Sequence, residues 1–206
     1  VVLNNPAGNR AAEAQYYYAE CLFQQKLYVE AELEYERLLR RWANTEHLVE
    51  ARYRSVQCLV EQSPKYYHDQ GITGEAVDEL QQFIDDFPDS EYVDEAEKLI
   101  DELRFKIARK YYEAGRQYLK WEESESARLY FNRVLTLYYD TELADQARLG
   151  MVISFLIEED SVGAQAYLEE SLERFSSLKL LKEAENFIAR AQEGKFDLAF
   201  YQRLYK

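Results

Sequence analysis

Residues 87–141 read FPDSEYVDEAEKLIDELRFKIARKYYEAGRQYLKWEESESARLYFNRVLTLYYDT, and this stretch decides the fold. It opens with a turn that contains Pro88, and then holds no further proline and a single glycine, Gly115. Long stretches rich in Ala, Leu, Glu and Arg, with few helix-breaking residues, favour the α-helix. The stretch therefore predicts a long helix over about residues 90–120, followed by a second helix that ends at the turn around Tyr139.

The composition of the whole chain supports an all-helical fold. The chain has 206 residues, of which only three are Pro and seven are Gly, and this leaves few residues for hairpin turns. Eighteen Tyr and ten Phe provide enough apolar surface for a folded core despite the high charge. We therefore predict an all-α protein.

The net charge of −14 excludes several classes of partner. A strongly acidic chain is repelled by the phosphates of nucleic acid and by an anionic membrane surface. No apolar run approaches the roughly 20 residues that a membrane-spanning helix needs. The first ten residues, VVLNNPAGNR, lack the basic start and apolar core of a signal peptide, so we expect any targeting segment to lie upstream.

A repeat of 34 residues runs through the sequence. The tetratricopeptide pattern has a small residue at position 8, alanine at position 20, a large apolar residue at position 24 and often proline at position 32. Residues 12–45 and 108–141 fit this pattern without a gap. The residues at positions 8, 20 and 24 of these two units are Ala19, Ala31 and Tyr35, and Gly115, Ala127 and Phe131. Residues 49–90, with extra residues around 63–71, and residues 145–178 fit with adjustments.

A second register supports the repeat, because an alanine follows position 32 of every unit by eight residues. These pairs are Pro6 and Ala14, Ala43 and Ala51, Pro88 and Ala96, Tyr139 and Ala147, and Ser176 and Ala184. The register predicts partial units at residues 1–10 and 179–206, and an earlier unit that ends at Pro6. Residues 178–206 are expected to begin another long helix, unless Gly194 caps a shorter one.

The long helix belongs to the third repeat, residues 108–141, and extends it at its N-terminal end. The spacing from position 32 of one repeat to position 8 of the next is 14 residues longer between Pro88 and Gly115 than in the other repeats. Fourteen residues are two heptads, so the extended helix presents nearly the same face to its neighbours. We predict one domain over residues 1–206, an α-solenoid that forms a right-handed superhelix of tetratricopeptide-like helix-turn-helix repeats.

The two cysteines, Cys21 and Cys58, occupy the same repeat position, position 10, on successive first helices. Equivalent positions on neighbouring helices lie about 8–10 Å apart. Because a disulfide needs Cα atoms within about 7 Å, we predict two free thiols.

No catalytic or metal-binding pattern is present. His47 and His68 are isolated from residues at metal-ligand spacing, which predicts solvated or helix-capping roles. The sequence contains neither a glycine-rich phosphate loop nor a G-x-S-x-G motif. We expect no enzymatic activity, no cofactor and no metal.

The best-defined motifs resemble one family. They are FPDSEY from Phe87, Ala96, the run from Ala108 that continues through Tyr112, Gly115, Tyr118 and Lys120, and the run from Ala127 through Phe131 to Leu135. Together they are similar to the BamD family, the tetratricopeptide lipoproteins of the outer-membrane β-barrel assembly (BAM) complex. The resemblance covers about residues 11–175 and departs from the family at Tyr139, where proline is usual.

The resemblance implies a non-catalytic scaffold on the periplasmic face of the outer membrane of a Gram-negative bacterium. Its contact with the membrane would be a lipid anchor that precedes Val1. The implied partners are the last POTRA domain of BamA, other lipoproteins of the complex and unfolded outer-membrane proteins. Another bacterial tetratricopeptide adaptor of the cell envelope, for example of the peptidoglycan or division machinery, remains the alternative.

Positions 2, 5, 9 and 12 of the first helices line the concave groove of such repeats. The candidate groove residues are Tyr16, Glu20, Phe23, Tyr53, Gln57, Tyr112 and Arg116. Their aromatic rings either pack between helices or form the floor of a peptide site. The resemblance implies that the peptide is the C-terminal signal of a barrel protein. Arg109 and Arg116 would receive its terminal carboxylate or pair with nearby Glu residues.

The resemblance also implies a contact with BamA at the turn between the two helices of the third repeat. The matching turn here consists of Lys120, Trp121 and Glu122. A basic residue is usual in the family where Trp121 stands, and Lys120 is the nearest cation. An exposed tryptophan beside a lysine suits a protein interface, and we expect these three residues to contact the partner.

Overall fold

A computed structural model describes residues 10–195, and every regular element within that range is helical. The α-helices are α1 Ala11–Gln24, α2 Tyr28–Arg41, α3 Leu48–Gln62, α4 Gly71–Asp86, α5 Val93–Lys120, α6 Ser124–Leu137, α7 Leu143–Ile157, α8 Ser161–Ser171 and α9 Leu178–Gln192. A short 3₁₀ helix, Leu172–Arg174, follows α8. The all-α fold class is confirmed, and the helix that occupies the stretch around residues 90–120 is α5.

The chain forms two compact units. Unit 1 is Val1–Ile107 and unit 2 is Ala108–Lys206, so the boundary lies within α5. In unit 1, α1 packs on α2, α2 on α3 and α3 on α4. In unit 2, α6 packs on α7, α7 on α8, and α9 on both α7 and α8. This packing of consecutive helices is the arrangement of a tetratricopeptide-like solenoid.

The alanines of the repeat register lie where neighbouring helices approach most closely. Nine of them have no exposed surface: Ala19, Ala31, Ala51, Ala76, Ala96, Ala127, Ala147, Ala164 and Ala184. A larger side chain at these positions would push the helices apart or leave its rotamer minimum. Their burial explains why the spacing of small residues predicts the helix pairs.

Three of the tight turns use the same backbone geometry without glycine. Repeat position 15 is Lys26, Glu122 or Glu159, with φ of 61°, 63° and 61°. In each turn the next amide donates to a carbonyl five residues earlier, at 3.0 Å. The α3–α4 connection differs, because residues 63–70 are inserted there.

The inserted connection is held by the buried amide of Gln70. Its Nε2 donates to the carbonyls of Lys65 at 2.9 Å and His68 at 3.2 Å, and its Oε1 accepts from Thr73 at 2.9 Å. These bonds satisfy backbone carbonyls that no helix can pair. The extra residues therefore form an ordered turn.

Helix α9 ends at Gln192 because of Gly194. Gly194 has φ of 71°, and the Lys195 amide donates to the Arg190 carbonyl at 2.9 Å. A glycine in the left-handed region just past the last turn is a common helix C-cap. Of the two possibilities for residues 178–206, Gly194 thus caps a shorter helix. Residues 196–206 lie outside the described residues, as do residues 1–9 of the predicted N-terminal partial unit.

Both cysteines are free thiols, as predicted. Cys21 is exposed, whereas Cys58 is buried, and burial raises the Cys58 pKa to about 12. Within residues 10–195, the helices are too short or too polar for any of them to cross a membrane.

Candidate functional site

The three candidate groove tyrosines are core residues. Tyr16, Tyr53 and Tyr112 are 5%, 1% and 6% exposed, and the first two lie in the hydrophobic clusters of unit 1. The Tyr112 ring packs on Phe131, with centroids 5.9 Å apart. Of the two interpretations of these rings, burial favours packing, because little of their surface remains for a ligand.

Two residues that the repeat pattern does not mark cover the unit 1 tyrosines. The His47 ring stacks on Tyr16 with centroids 4.1 Å apart and an interplanar angle of 3°. The Tyr92 ring stacks on Tyr53 at 4.5 Å and 11°. Both half-buried residues immediately precede the next first helix, α3 or α5. The predicted solvated or capping role of His47 is wrong, since its ring is stacked and its side chain caps no helix.

Arg54 brings the other candidate residues of unit 1 together. Its Nη1 donates to Gln57 Oε1 at 2.7 Å, and its Nε lies 3.3 Å from Glu20 Oε1. Its guanidinium carbon lies 5.4 Å from the centre of the Phe23 ring. Glu20, Phe23 and Gln57 are half-buried, so these three predicted residues form one partly accessible cluster. The Tyr35 hydroxyl also donates to Glu20.

Two buried tyrosines of unit 1, Tyr16 and Tyr53, are held in their neutral form. Burial, followed by a hydrogen bond to Glu50, raises the pKa of Tyr16 far above its usual range. Burial, followed by the charge of Glu95, raises the pKa of Tyr53 in the same way. The tyrosines therefore add no negative charge of their own, and the carboxylates set the sign of the local field.

In unit 2, Arg116 has a carboxylate partner. Its Nη1 lies 3.0 Å from Glu113 Oε2, and its guanidinium carbon lies 5.8 Å from the centre of the Tyr112 ring. Pairing with a nearby Glu is thus the role that the geometry supports for Arg116. Burial raises the Tyr112 pKa to about 12.

The candidate partner turn is exposed and ordered. Trp121 is 61% exposed, and Lys120 and Glu122 beside it are exposed as well. The indole meets the Tyr118 ring edge-on at 5.6 Å and 88°, and Tyr118 stacks on Tyr130 at 5.2 Å and 15°. A large aromatic side chain supported by other rings loses little freedom when it binds, as interface anchors do.

Sequence reasoning missed Arg54, His47 and Tyr92. Position 6, which Arg54 occupies, is not a groove position, and the repeat pattern assigns no binding role to the turn residues His47 and Tyr92. The stretch from residue 10 to residue 195 contains no group of three or more His, Cys, Asp or Glu side chains placed to hold a metal ion.

Residues 3–147 match the model of the YfiO family, described as outer membrane lipoprotein. The chain belongs to this family. The match includes the helices of unit 1 and reaches the first turn of α7 in unit 2. A comparison with curated proteins gave no match. Membership supports an association with the outer membrane and a tetratricopeptide-type scaffold role in the envelope, and it agrees with the BamD-like resemblance at the level of the family.

Proposed function

We propose that this protein is a non-catalytic scaffold of the β-barrel assembly machinery, of the BamD type. It acts at the periplasmic face of the outer membrane, held there by an N-terminal lipid anchor. The observation that carries the proposal is the match of residues 3–147 to a family of outer membrane lipoproteins. The motifs around Pro88, Gly115 and Ala127 support the narrower assignment.

The turn formed by Lys120, Trp121 and Glu122 docks the last POTRA domain of BamA. Trp121 is highly exposed, so a partner can bury it on binding. Aromatic side chains that become buried in this way contribute most of the energy of many interfaces. Lys120, next to the indole, adds a cation, and this cation pairs with an acidic residue of the partner. Other lipoproteins of the complex use further surfaces of the same scaffold.

The groove residues bind the C-terminal signals of unfolded outer-membrane proteins. In unit 1, Glu20, Phe23 and Gln57 form the accessible cluster around Arg54. In unit 2, Tyr112 positions Arg116, which exchanges Glu113 for the terminal carboxylate of the peptide. Tyr16 and Tyr53 support the unit 1 surface from within the core.

A binding measurement with purified BamA POTRA domains tests the proposal. The Trp121→Ala variant is expected to bind about 30-fold more weakly, the usual cost of removing an aromatic anchor. The Lys120→Glu variant is expected to lose about fivefold, and more at low salt. Tyr139→Ala is the matched control, because Tyr139 is 67% exposed in the same unit.

Two results would contradict the proposal. Unchanged affinity of both Trp121→Ala and Lys120→Glu would exclude this turn as the docking site. If the unaltered protein fails to bind the POTRA domains at all, the assignment to β-barrel assembly is wrong, and the alternative of another envelope adaptor takes its place.

A further inference from the structure

We propose that the unit 1 groove selects extended peptides that carry an arginine or lysine, and holds that cation against the Tyr92 ring, which stacks on Tyr53. The inference rests on the proposed peptide-binding function and adds the chemistry of the segment that unit 1 receives. Four features of unit 1 carry it: the carboxylates, the limited compensation by Arg54, an unsatisfied hydroxyl and the stacked rings.

Carboxylates raise the pKa values of tyrosines in both aromatic stacks. Glu50 acts on Tyr16 in the first stack and on Tyr92 in the second. The charges of Glu91 and Glu95 also act on Tyr92 in the second stack, and the charge of Glu20 acts on Tyr16 in the first. The residues Glu20, Glu50, Glu91 and Glu95 thus place four negative charges around two pairs of rings.

Arg54 compensates only part of this charge. Its field favours the ionised forms of Tyr16, Tyr53 and Tyr92, so it lies among both stacks. Its donors already face Glu20 and Gln57, and its guanidinium lies over Phe23. One guanidinium against four carboxylates leaves a net negative site, which attracts a cation from a ligand.

The Tyr53 hydroxyl is the second, independent sign of a ligand. The side chain is 1% exposed, and its oxygen makes no hydrogen bond of good geometry, although Glu95 and Gln57 lie close to it. A buried hydroxyl without a partner is costly. A guanidinium or ammonium N–H that enters between Glu95 and this oxygen would supply the missing bond.

The stacked rings fit the same ligand. Tyr92 is half-buried, so part of its side chain remains accessible while the ring stacks on Tyr53. A cation placed against an aromatic face gains from the ring quadrupole, and most when it is partly desolvated. Carboxylates for charge and rings for packing together suit arginine and lysine better than a neutral side chain.

Unit 2 has a different set at the equivalent positions. Where His47 and Tyr92 stand in unit 1, the register has the aliphatic Leu143 and Leu180 in unit 2. Where Glu20 stands, unit 2 has Arg116. The selection of a cation is therefore a property of unit 1.

Three matched peptides test the inference by fluorescence anisotropy with the full chain. All three share an aromatic C-terminal residue and differ at one internal position, which is Arg, Gln or Glu. We expect the Arg peptide to bind about tenfold more tightly than the Gln peptide, with the Glu peptide weakest. Added salt should reduce the differences.

Isosteric variants locate the site. Glu50→Gln and Glu95→Gln are each expected to reduce the preference for Arg over Gln to about threefold, and the double variant to abolish it. Glu125→Gln, on the exposed surface of α6, is the control and should retain the full preference. Thermal melts of each variant verify that the fold is kept.

The outcomes separate this inference from the proposed function. Equal affinity for the three peptides overturns the cation site and leaves the peptide-binding role intact. If the Arg peptide binds equally tightly without its aromatic C-terminal residue, the cation site is supported, but recognition of C-terminal signals is contradicted. Failure of every peptide to bind overturns both.

Discussion

Units 1 and 2 fill the same position of the repeat in opposite ways. In the first repeat of unit 1 the residue at position 24 is Tyr35, whose hydroxyl donates to Glu20 while Arg54 lies close to both. In unit 2 the equivalent residue is Phe131, which has no polar atom. Glycines meet this ring: a Cβ on Gly115 would lie 2.7 Å from it, and a Cβ on Gly150 would lie 2.6 Å from it.

The repeat register also shows which residue of unit 2 stands in the place of Arg54. Gly150 of unit 2 corresponds to Arg54 of unit 1, and both are position 6 of the following repeat. One unit therefore has a charged network where the other has close contact between backbone and ring. Buried charged networks are often no more stable than apolar packing of similar volume. At this point unit 2 is built for packing, whereas unit 1 keeps a hydrogen-bonded polar network.

The largest expected effect is the loss of the ring in unit 2. Phe131→Ala should lower the free energy of unfolding by about 3–5 kcal/mol, because Phe131 has no exposed surface and two backbones close on its ring. Urea denaturation followed by circular dichroism measures the change. The Tyr139→Ala control, at an exposed site, should stay within about 0.5 kcal/mol of the unaltered protein. A loss below about 1 kcal/mol for Phe131→Ala would contradict the tight packing of unit 2.

A methyl group added to the glycine contact should have the next largest effect. Gly150→Ala is expected to cost about 1–3 kcal/mol, since the new Cβ would overlap the Phe131 ring. Gly74→Ala in α4 is the matched control, because its added Cβ has no atom within 4 Å apart from its chain neighbours and the backbone of its own helix. Alanine is the better helix former, so Gly74→Ala should stabilise by about 0.5–1 kcal/mol. If both variants stabilise the protein in the same denaturation assay, the contact at Gly150 is not restrictive.

The polar network of unit 1 should give the smallest effect. Tyr35→Phe removes the hydroxyl that donates to Glu20 and is expected to cost about 1 kcal/mol, since Arg54 remains beside the carboxylate. The midpoint of urea unfolding, compared with that of Gly150→Ala, ranks the two units directly. A stabilised Tyr35→Phe variant would mean that burying the network costs more than its hydrogen bonds return.

Most of the fold follows from the sequence because helix pairs constrain residue size at fixed intervals. Ala31 and Ala127 mark close approaches of two helices, and alanine at this fixed position of each repeat makes the repeat detectable in the sequence alone. The two-heptad excess before Gly115 similarly predicts the long α5. Residues 63–70 could be identified as an insertion, but not as an ordered turn, because the bonds of Gln70 run to backbone atoms.

The site is less predictable, for physical reasons that differ between residues. The exposure of Trp121 follows from its place at a helix end, where no neighbouring residue of the repeat covers it. The burial of Tyr16 and Tyr53 depends on rings from the following turn, and the same register position holds leucine in unit 2, so no residue type recurs there. Arg54 reaches the candidate residues Glu20 and Phe23 from repeat position 6, because long cationic side chains extend well beyond their own Cα.

The left-handed turn residues have a consequence for how this lineage can adapt to temperature. Lys26, Glu122 and Glu159 each hold a conformation that costs a non-glycine residue about 1 kcal/mol, and glycine or asparagine would relieve it. At Lys26 and Glu159, heat tolerance can rise in this way without any change to a candidate binding residue. At Glu122 the same replacement would change a residue of the candidate partner turn, so there a gain in heat tolerance would alter that surface as well.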